Sequence, residues 1–222
     1  MNELLPKLDT GITQIGGEEI EWKSLDLPHQ VKNIILEDLE EGYAARIQHE
    51  EDRYILKRDN GDIHVKKLIS QHRNDDDSES KWDIHNESDG TRRIIDLLPA
   101  FLEASQSKSP TVYVIDELDR SLHTLLTRQL LSYFLDACSP HTRAQILFTT
   151  HDVLLMDQDL FRRDEMWVME RNSHGKSTLF SFSDFKDVRY DKDIRKSYLQ
   201  GRLGGIPRLL LSSSCDKEPK EP

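Results

Sequence analysis

Cysteine is scarce in this 222-residue chain, which contains only Cys138 and Cys215. The two residues lie far apart and do not form a CxxC motif, so we expect both thiols to be reduced. The sequence also has no apolar run of eighteen residues and no charged-then-apolar leader, which argues against a membrane span or a signal peptide. These absences together predict a soluble, cytoplasmic protein with no membrane partner.

Positive charge is also in short supply, because the formal net charge is −11 and is spread fairly evenly along the chain. This balance excludes a global basic field that would wrap nucleic acid, although local basic patches stay possible. One such candidate patch comprises Arg195, Lys196, Arg202 and Arg208, for which a solvated C-terminal helix is the preferred interpretation. The apolar content of 36% suffices for one core, or for a core and a smaller lobe.

The first 81 residues are predicted to be rich in β-structure. A short helix is predicted over Val31–Leu39, and residues 45–73 carry strand patterns with a hairpin signal at Asn60-Gly61. The polar and acidic stretch Arg73–Lys81 has no apolar anchor and is predicted to be a mobile loop or a junction. We therefore predict a boundary near Lys81.

Beyond this boundary the pattern changes to alternating helices and strands. Residues 91–104 and 122–135 have apolar positions at helical spacing, while TVYVID (111–116) and AQILFTT (144–150) are typical of parallel strands buried on both faces. A strand, a helix and a second strand in this order form a βαβ crossover with parallel strands. A short helix over 153–161 and a hairpin from EMWVME and TLFSFS are predicted further on.

Acidic residues and a histidine follow the two predicted parallel strands. Asp116 and Glu117 end the first strand, and His151 follows the second. The carboxyl ends of parallel strands share one edge, where ligands bind, so the three side chains are predicted to meet there. Four apolar residues followed by Asp-Glu are typical of a Walker B motif, in which the Asp holds Mg²⁺ and the Glu orients or deprotonates water.

Three motifs carry a resemblance to a known family. VYVIDELDRSLH (112–123) resembles the Walker B motif and D-loop of ATP-binding-cassette-type ATPases, and FTTHD (148–152) resembles their switch histidine. ESDGTRR (87–93) resembles their signature motif, in the SxGT form of stand-alone bacterial AAA-family ATPases related to chromosome-maintenance and overcoming-lysogenization-defect ATPases. LDTGI near the start and RKSYLQGRLGGIPRL near the finish are similar to segments of the same group.

This resemblance implies a fold and a domain organisation. The implied fold is α/β, a partial P-loop NTPase sheet with parallel core strands flanked by helices, plus the β-rich N-terminal segment. The implied divisions are residues 1–81 for the β-rich segment, 82–211 for the ATPase-like lobe and 212–222 for a flexible tail.

The resemblance also implies ATP and Mg²⁺ as cofactors and gives roles to seven residues. Asp116 would serve Mg²⁺, Glu117 would activate water, and His151 would contact the γ-phosphate. The remaining four act across a dimer: Ser88 and Gly90 would touch the nucleotide of a second subunit, while Ser121 and His123 would communicate between subunits.

Helix capping supports the signature motif independently of the resemblance. Ser88 or Asp89 is predicted to cap a helix that starts near Thr91, and such a helix N-terminus favours an anion. Asp89 is electrostatically awkward beside a phosphate, and we expect Arg92 and Arg93 to offset its charge.

A phosphate-binding loop of the form GxxxxGK(S/T) is missing from the sequence. The one Gly-Lys-Ser, at 175–177, has Glu170 in place of the first glycine and is predicted to be a hairpin turn. The chain therefore resembles the C-terminal half of such an ATPase. We expect it to need a homodimer or a partner chain that supplies the missing loop, and to bind and hydrolyse ATP poorly alone.

Other interpretations of the same residues stay open. Acid pairs after strands often only cap the next helix, and a lone histidine is usually a loop residue. A non-catalytic regulatory or interaction module derived from such an ATPase is one alternative. A Mg²⁺-dependent nuclease that uses Asp116, Glu117 and Asp119 is a weaker one. A link to DNA or RNA rests on family analogy only.

Overall fold

The chain forms two compact units, Met1–Thr150 and His151–Pro222. Residue 2 and residues 4–172, 174–185 and 193–206 are described by the structure, a computed structural model. The predicted division at residue 81 stays a prediction, and the predicted tail 212–222 lies outside the described residues. Among the described helices, none is both long enough and apolar enough to cross a membrane.

The first unit begins with a five-stranded antiparallel sheet, where the sequence predicts β-rich structure. The strands run in the order β1-β4-β3-β2, and β5 pairs with β4 beyond the end of β3. Helix α1 (His29–Asp38) confirms the helix predicted near residue 31. The strands are β1 (Ile12–Ile20), β2 (Ala44–His49), β3 (Asp52–Asp59), β4 (Asp62–Arg73) and β5 (Glu79–Asp83).

The turns of this sheet follow local sequence signals. Asn60 and Gly61 connect β3 to β4 with φ angles of +53° and +86°, which confirms the predicted hairpin. The stretch predicted to be a mobile loop is instead a turn followed by strand β5, and Asn74 N donates to Ser78 O at 2.8 Å within the turn. Strand β5 forms because β4 extends past the end of β3 and offers backbone groups for pairing.

An apolar cluster packs against the sheet. In β3, Tyr54 and Leu56 are buried while Ile55 and Lys57 are exposed, which is the two-residue period of a strand with one covered face. The buried members of the cluster are Leu25, Leu39, Tyr54, Leu56 and Val65.

The predicted βαβ crossover is present in the first unit. Helix α2 (Asp89–Gln106) precedes β6 (Val112–Ile115), and α3 (Thr124–Ala137) connects β6 to the parallel strand β7 (Gln145–Phe148). The two helices pack on each other through aromatic side chains, and the ring centroids of Phe101 and Phe134 lie 5.8 Å apart in an edge-to-face contact. Phe101 is fully buried.

The prediction that β6 and β7 are buried on both faces is wrong. Val112, Val114 and Leu147 are 54%, 73% and 61% exposed. They occupy alternate positions, so they line one face of the pair of strands. An apolar run shows that a strand can be buried, but the number of covered faces depends on which other elements pack against it.

The second unit contains an antiparallel hairpin and a short helix. Strands β8 (Trp167–Arg171) and β9 (Ser177–Ser181) confirm the predicted hairpin, and helix α4 spans Ile194–Leu199. Gly175 has a φ of +80° in the connecting turn, so the Gly-Lys-Ser sequence belongs to a hairpin and not to a phosphate-binding loop. The buried core of the second unit comprises Met166, Val168, Phe182, Ile194 and Leu203.

The helix predicted over residues 153–161 is a single 3-10 turn, Val153–Leu155. Aspartate side chains explain the early end, because Asp157 Oδ1 accepts from Asp159 N at 2.8 Å and so competes with helical hydrogen bonds. The predicted basic patch stays a prediction, since Arg208 lies outside the described residues.

Candidate functional site at the end of the parallel strands

Asp116 and Thr149 are neighbours at the edge where β6 and β7 end. The parallel ladder pairs Ile115 with Phe148, so the next residue of each strand lies beside its counterpart. Thr149 N donates to Ile115 O at 3.0 Å and continues the ladder by one step. Asp116 therefore lies at the carboxyl edge of the parallel strands, which is the edge where ligands bind in such sheets.

Thr149 attaches the residues that follow β6 to the end of β7. Its hydroxyl group donates to Asp116 Oδ1 and accepts from Glu117 N at 2.9 Å. Its carbonyl oxygen accepts from Leu118 N at 3.0 Å, and Leu118 is fully buried. No motif in the sequence indicates Thr149, but the register of two parallel strands places it opposite Asp116.

Glu117 has a left-handed backbone with a φ of +48°. This conformation costs a non-glycine residue about 1–3 kcal/mol and persists only where surrounding contacts enforce it. Here Arg120 N donates to Glu117 O at 3.1 Å, and Arg93 Nη2 donates to the same oxygen at 2.8 Å. Arg93 Nη2 also lies 3.1 Å from Asp116 O. The backbone at the two exposed acids is thus held from both β7 and α2.

Helix α2 begins at the predicted signature residues. Ser88 is its N-cap and accepts a hydrogen bond from Thr91 N at 3.1 Å, which confirms the predicted cap. Arg92 Nη2 lies 2.5 Å from Asp89 Oδ1 and offsets the carboxylate that would oppose an anion. Arg93 was also expected to offset the charge of Asp89, but its side chain instead contacts the backbone at the end of β6.

Gly90 permits a close approach between α2 and the loop after β6. A Cβ atom at position 90 would lie 2.8 Å from Ser121 O, so a larger residue would displace the backbone. The resemblance relates Gly90 and Ser121 to a second subunit, and within one chain they are also adjacent to each other. The first turn of α2 therefore contacts the loop that carries Asp116 and Glu117, through Gly90 and through Arg93.

The two predicted site histidines have different surroundings. His123 is the N-cap of α3, and its Nδ1 accepts from Leu125 N at 3.2 Å. His151 is exposed and is the first residue of the second unit. The predicted meeting of His151 with Asp116 and Glu117 stays a prediction.

Asp119 differs from the acids that precede it. Asp119 Oδ1 is buried and has no hydrogen-bond partner among the described residues, whereas Asp116 and Glu117 are exposed. A nuclease site would need the three carboxylates to face one cation together. The burial of this oxygen does not favour that arrangement.

A second group of acidic residues lies in the five-stranded sheet. Asp52, Asp83 and His85 each have a potential ligand atom within 4.8 Å of the others. Lys67 Nζ already lies 2.7 Å from Asp52 Oδ2 and 2.9 Å from Asp83 Oδ1, and His85 Nδ1 lies 2.9 Å from Asp52 Oδ1. The lysine ammonium supplies the positive charge between the carboxylates, so the group is an ion-pair network and a poor candidate for a metal site.

The charges of this network shift its titration. Burial raises the pKa of the Asp52 carboxyl, but hydrogen bonds and charges from Lys67 and His85 outweigh burial and leave the pKa below its usual range. Burial lowers the pKa of the Lys67 ammonium, but hydrogen bonds to Asp52 and Asp83 raise it overall. Both charged forms are therefore favoured in the folded chain.

The Asp52→Asn variant is expected to lower the free energy of unfolding by about 1–3 kcal/mol at pH 7. A carboxyl with a depressed folded pKa stabilises the fold above its unfolded pKa of about 4, and this stabilisation is lost as the pH falls through the folded value. Urea unfolding at pH 7 and pH 3 should therefore show a difference from wild type that shrinks in acid. The exposed Asp62→Asn variant is the matched control, and a difference independent of pH would contradict the ion-pair explanation.

The fold and the edge geometry define the class of protein, and comparison with known proteins gives the family. Parallel strands joined by a helical crossover, with acids at their carboxyl edge, form a mixed α/β architecture consistent with an AAA or P-loop NTPase-like fold. The chain matches the family described as "AAA domain, putative AbiEii toxin, Type IV TA system" over residues 24–157, more than half of its length, and it belongs to that AAA-domain family. No curated protein matches the chain. Membership of this family indicates that the chain is a nucleotide-binding module of the ATPase type. Domains of this type generally use a nucleotide and a metal ion.

Proposed function

We propose that this chain is a lobe that binds and hydrolyses ATP within a dimer, with Mg-ATP at the interface. The observation that carries the proposal is the acidic pair at the edge of the parallel strands, exposed to solvent and held by Thr149. Asp116 would hold the Mg²⁺, and Glu117 would orient or deprotonate the attacking water. His151 would contact the γ-phosphate.

The side chains at this edge fit a magnesium ion. Magnesium prefers oxygen ligands and usually takes one or two carboxylates together with waters and phosphate oxygens. The Thr149 hydroxyl engages only Oδ1 of Asp116 and fixes the direction of the carboxylate, which leaves Oδ2 for a cation. When bound, the ion would neutralise charge on the phosphates.

Glu117 is suited to act on water because its backbone is fixed while its side chain is exposed. A general base must lie within hydrogen-bonding distance of the water, so a strained but well-held backbone favours the role. Glu117 N donates to the Thr149 hydroxyl and Arg93 donates to Glu117 O, so both bonds hold the backbone and leave the carboxylate oxygens to act on water.

The start of α2 would serve the nucleotide of a second subunit. Its backbone N–H groups and its helix dipole favour an anion, and Ser88 and Gly90 stand at this end of an 18-residue helix. Ser121 and His123 would communicate across the dimer. The contact between Gly90 and the Ser121 carbonyl would link the two elements within each chain.

The exposed face of β6 and β7 supports the proposal that the lobe is incomplete without a phosphate-binding loop. Parallel sheets are normally covered on both faces, yet Val112, Val114 and Leu147 are each more than half exposed. The occupant that we propose is a strand–loop–helix segment of a partner chain that carries a GxxxxGK(S/T) loop, because a second copy of this chain would lack the loop as well. Such a segment would bring the loop next to the acids that follow β6.

This proposal is tested by measuring ATP affinity for the chain alone and with the polypeptide that the reading frame upstream of Met1 encodes. We expect weak binding by the chain alone and binding at least about tenfold tighter in the complex, a change worth ~1.4 kcal/mol. Val114→Asp should abolish the gain, because it would bury a charge in the proposed interface. Leu125→Asp is the matched control, since Leu125 is 68% exposed on α3.

Two results would contradict the proposal. An upstream frame that encodes no GxxxxGK(S/T) loop would remove the proposed source of the loop. A Val114→Asp variant that still gains ATP affinity in the complex would show that the partner does not pack on this face.

A non-catalytic regulatory or interaction module is the second candidate. It is favoured by the structural role of His123, which caps α3 and needs no partner subunit to account for it. In that case the chain would dock on an ATPase without contributing to hydrolysis, and Glu117→Gln would have no effect on the rate. Both candidates are proposed for the cytoplasm, where the free thiol of Cys138 would stay reduced.

A further inference from the structure

A buried carboxylate that the proposed chemistry does not use lies directly before Ser88. The Glu87 side chain is 5% exposed, and its Oε1 lies 2.6 Å from His72 Nε2. Ser70 Oγ donates to the same oxygen, and Ser70 is fully buried. Because a carboxylate only accepts hydrogen bonds, both contacts require the β4 side chains to be the donors.

The burial of Glu87 needs these donors. A buried carboxylate is costly unless it is paired or hydrogen-bonded, and Ser70 and His72 satisfy it from one strand. The His72 ring also lies against the Trp82 ring, with 4.9 Å between centroids. Strand β5, which carries Trp82, therefore limits where His72 can move.

Glu87 transmits this constraint to the start of α2. The backbone N–H of Glu87 donates to Ile84 O at 3.2 Å, so both its main chain and its side chain are held. The next residue, Ser88, caps Thr91 N and also accepts from Arg92 N at 2.9 Å. A displacement of Glu87 would move the N-cap, and with it the backbone N–H groups of the first turn.

We propose that Ser70 and His72 are positioning residues, which act through Glu87 to hold Ser88 and Gly90 where they can contact the nucleotide of a second subunit. This inference rests on the proposed function for its consequence, but the constraint on α2 can be measured without nucleotide. In this proposal the five-stranded sheet, through Ser70 and His72 of β4, holds the signature residues Ser88 and Gly90 in place.

Amide hydrogen exchange in the full chain without nucleotide tests the constraint. His72→Leu removes the donor and should accelerate exchange of the amides in residues 84–93 by roughly tenfold or more. His72→Gln restores a donor and should bring the rate back to within about threefold of wild type. His64→Leu makes the same change at an exposed histidine of β4 and should leave residues 84–93 unchanged.

Equal acceleration in His72→Leu and His72→Gln would overturn the proposal. So would acceleration in His72→Leu that is equally large in residues 53–66, because that pattern indicates loss of the whole sheet. If His72→Leu does not fold, Ser70→Ala serves instead, and unchanged exchange at residues 84–93 in that variant would refute the constraint.

A kinetic readout then separates positioning from general stability. In the assembled complex, His72→Leu should raise KM for ATP by roughly tenfold with little change in kcat, because it disturbs binding by the signature residues and not the acids. A change confined to kcat would contradict this role. If wild type hydrolyses no ATP in any complex, the proposed function fails, and the exchange experiment still decides whether Glu87 holds the helix start.

Discussion

The Glu117→Gln variant is expected to bind ATP as tightly as wild type in the assembled complex and to hydrolyse it at least about a hundredfold more slowly. Glutamine has the same shape as glutamate, but it cannot take a proton from water. The left-handed backbone at position 117 costs glutamate and glutamine about the same free energy, so the variant should be as stable as wild type. Phosphate release gives the rate, and gel filtration with labelled ATP detects the trapped complex.

Two further variants show whether a slower rate is specific to the Glu117 carboxylate. Glu37→Gln makes the same chemical change at an exposed position of α1 and should leave the rate unchanged. Asp116→Asn should also slow hydrolysis, but with weaker Mg²⁺-dependent binding, because Asp116 is the proposed ligand of the ion. A Glu117→Gln rate equal to that of wild type would exclude Glu117 as the activating residue and would favour the interaction module.

The edge of the parallel strands could be predicted because it depends on local patterns and one topological rule. The apolar run before Asp116 and the helical spacing after residue 122 identify a strand and a helix from neighbouring residues alone. The rule that such crossovers give parallel strands then places the residues after β6 and β7 at one edge. The Ser88 cap was predictable for the same reason, since a cap is a contact between residues three positions apart.

Contacts between residues far apart in the sequence were harder to predict. Thr149 reaches Asp116 across 33 positions and Arg93 reaches Glu117 across 24, and neither contact leaves a periodic pattern. The bond between His72 and Glu87 is of the same kind. Such bonds are set by the packing of whole elements, so their partners become evident only after the strands and helices have been placed.

Burial was predictable where periodicity shows which face of an element is apolar, and not where it depends on how many faces of that element are covered. The apolar positions of α2 include Phe101, which is buried as its helical spacing predicts. Val114 is as apolar as a core residue, yet it is 73% exposed. Hydrophobicity reports the tendency of a residue to leave water, while exposure also depends on what covers it.

Phe101→Ala is expected to lower the free energy of unfolding by about 3–5 kcal/mol. Phe101 is fully buried and meets Phe134 edge to face, so the substitution loses apolar burial, leaves a cavity and removes an aromatic pair between α2 and α3. For a chain of this size the melting temperature should fall by roughly 6–20 °C. Urea unfolding followed by circular dichroism gives the free energy, and a thermal scan gives the melting temperature.

Because α2 begins after Ser88 and α3 begins after His123, the same cavity should also loosen the two helix starts that carry site residues. Phe101→Leu keeps most of the buried volume and should recover more than half of the lost stability, whereas Leu125→Ala, at a residue 68% exposed, should change stability by no more than about 0.5 kcal/mol. A loss in Phe101→Ala as small as that of Leu125→Ala would show that the two helices do not depend on this contact. Their shared core could then not be what holds the two helix starts in place.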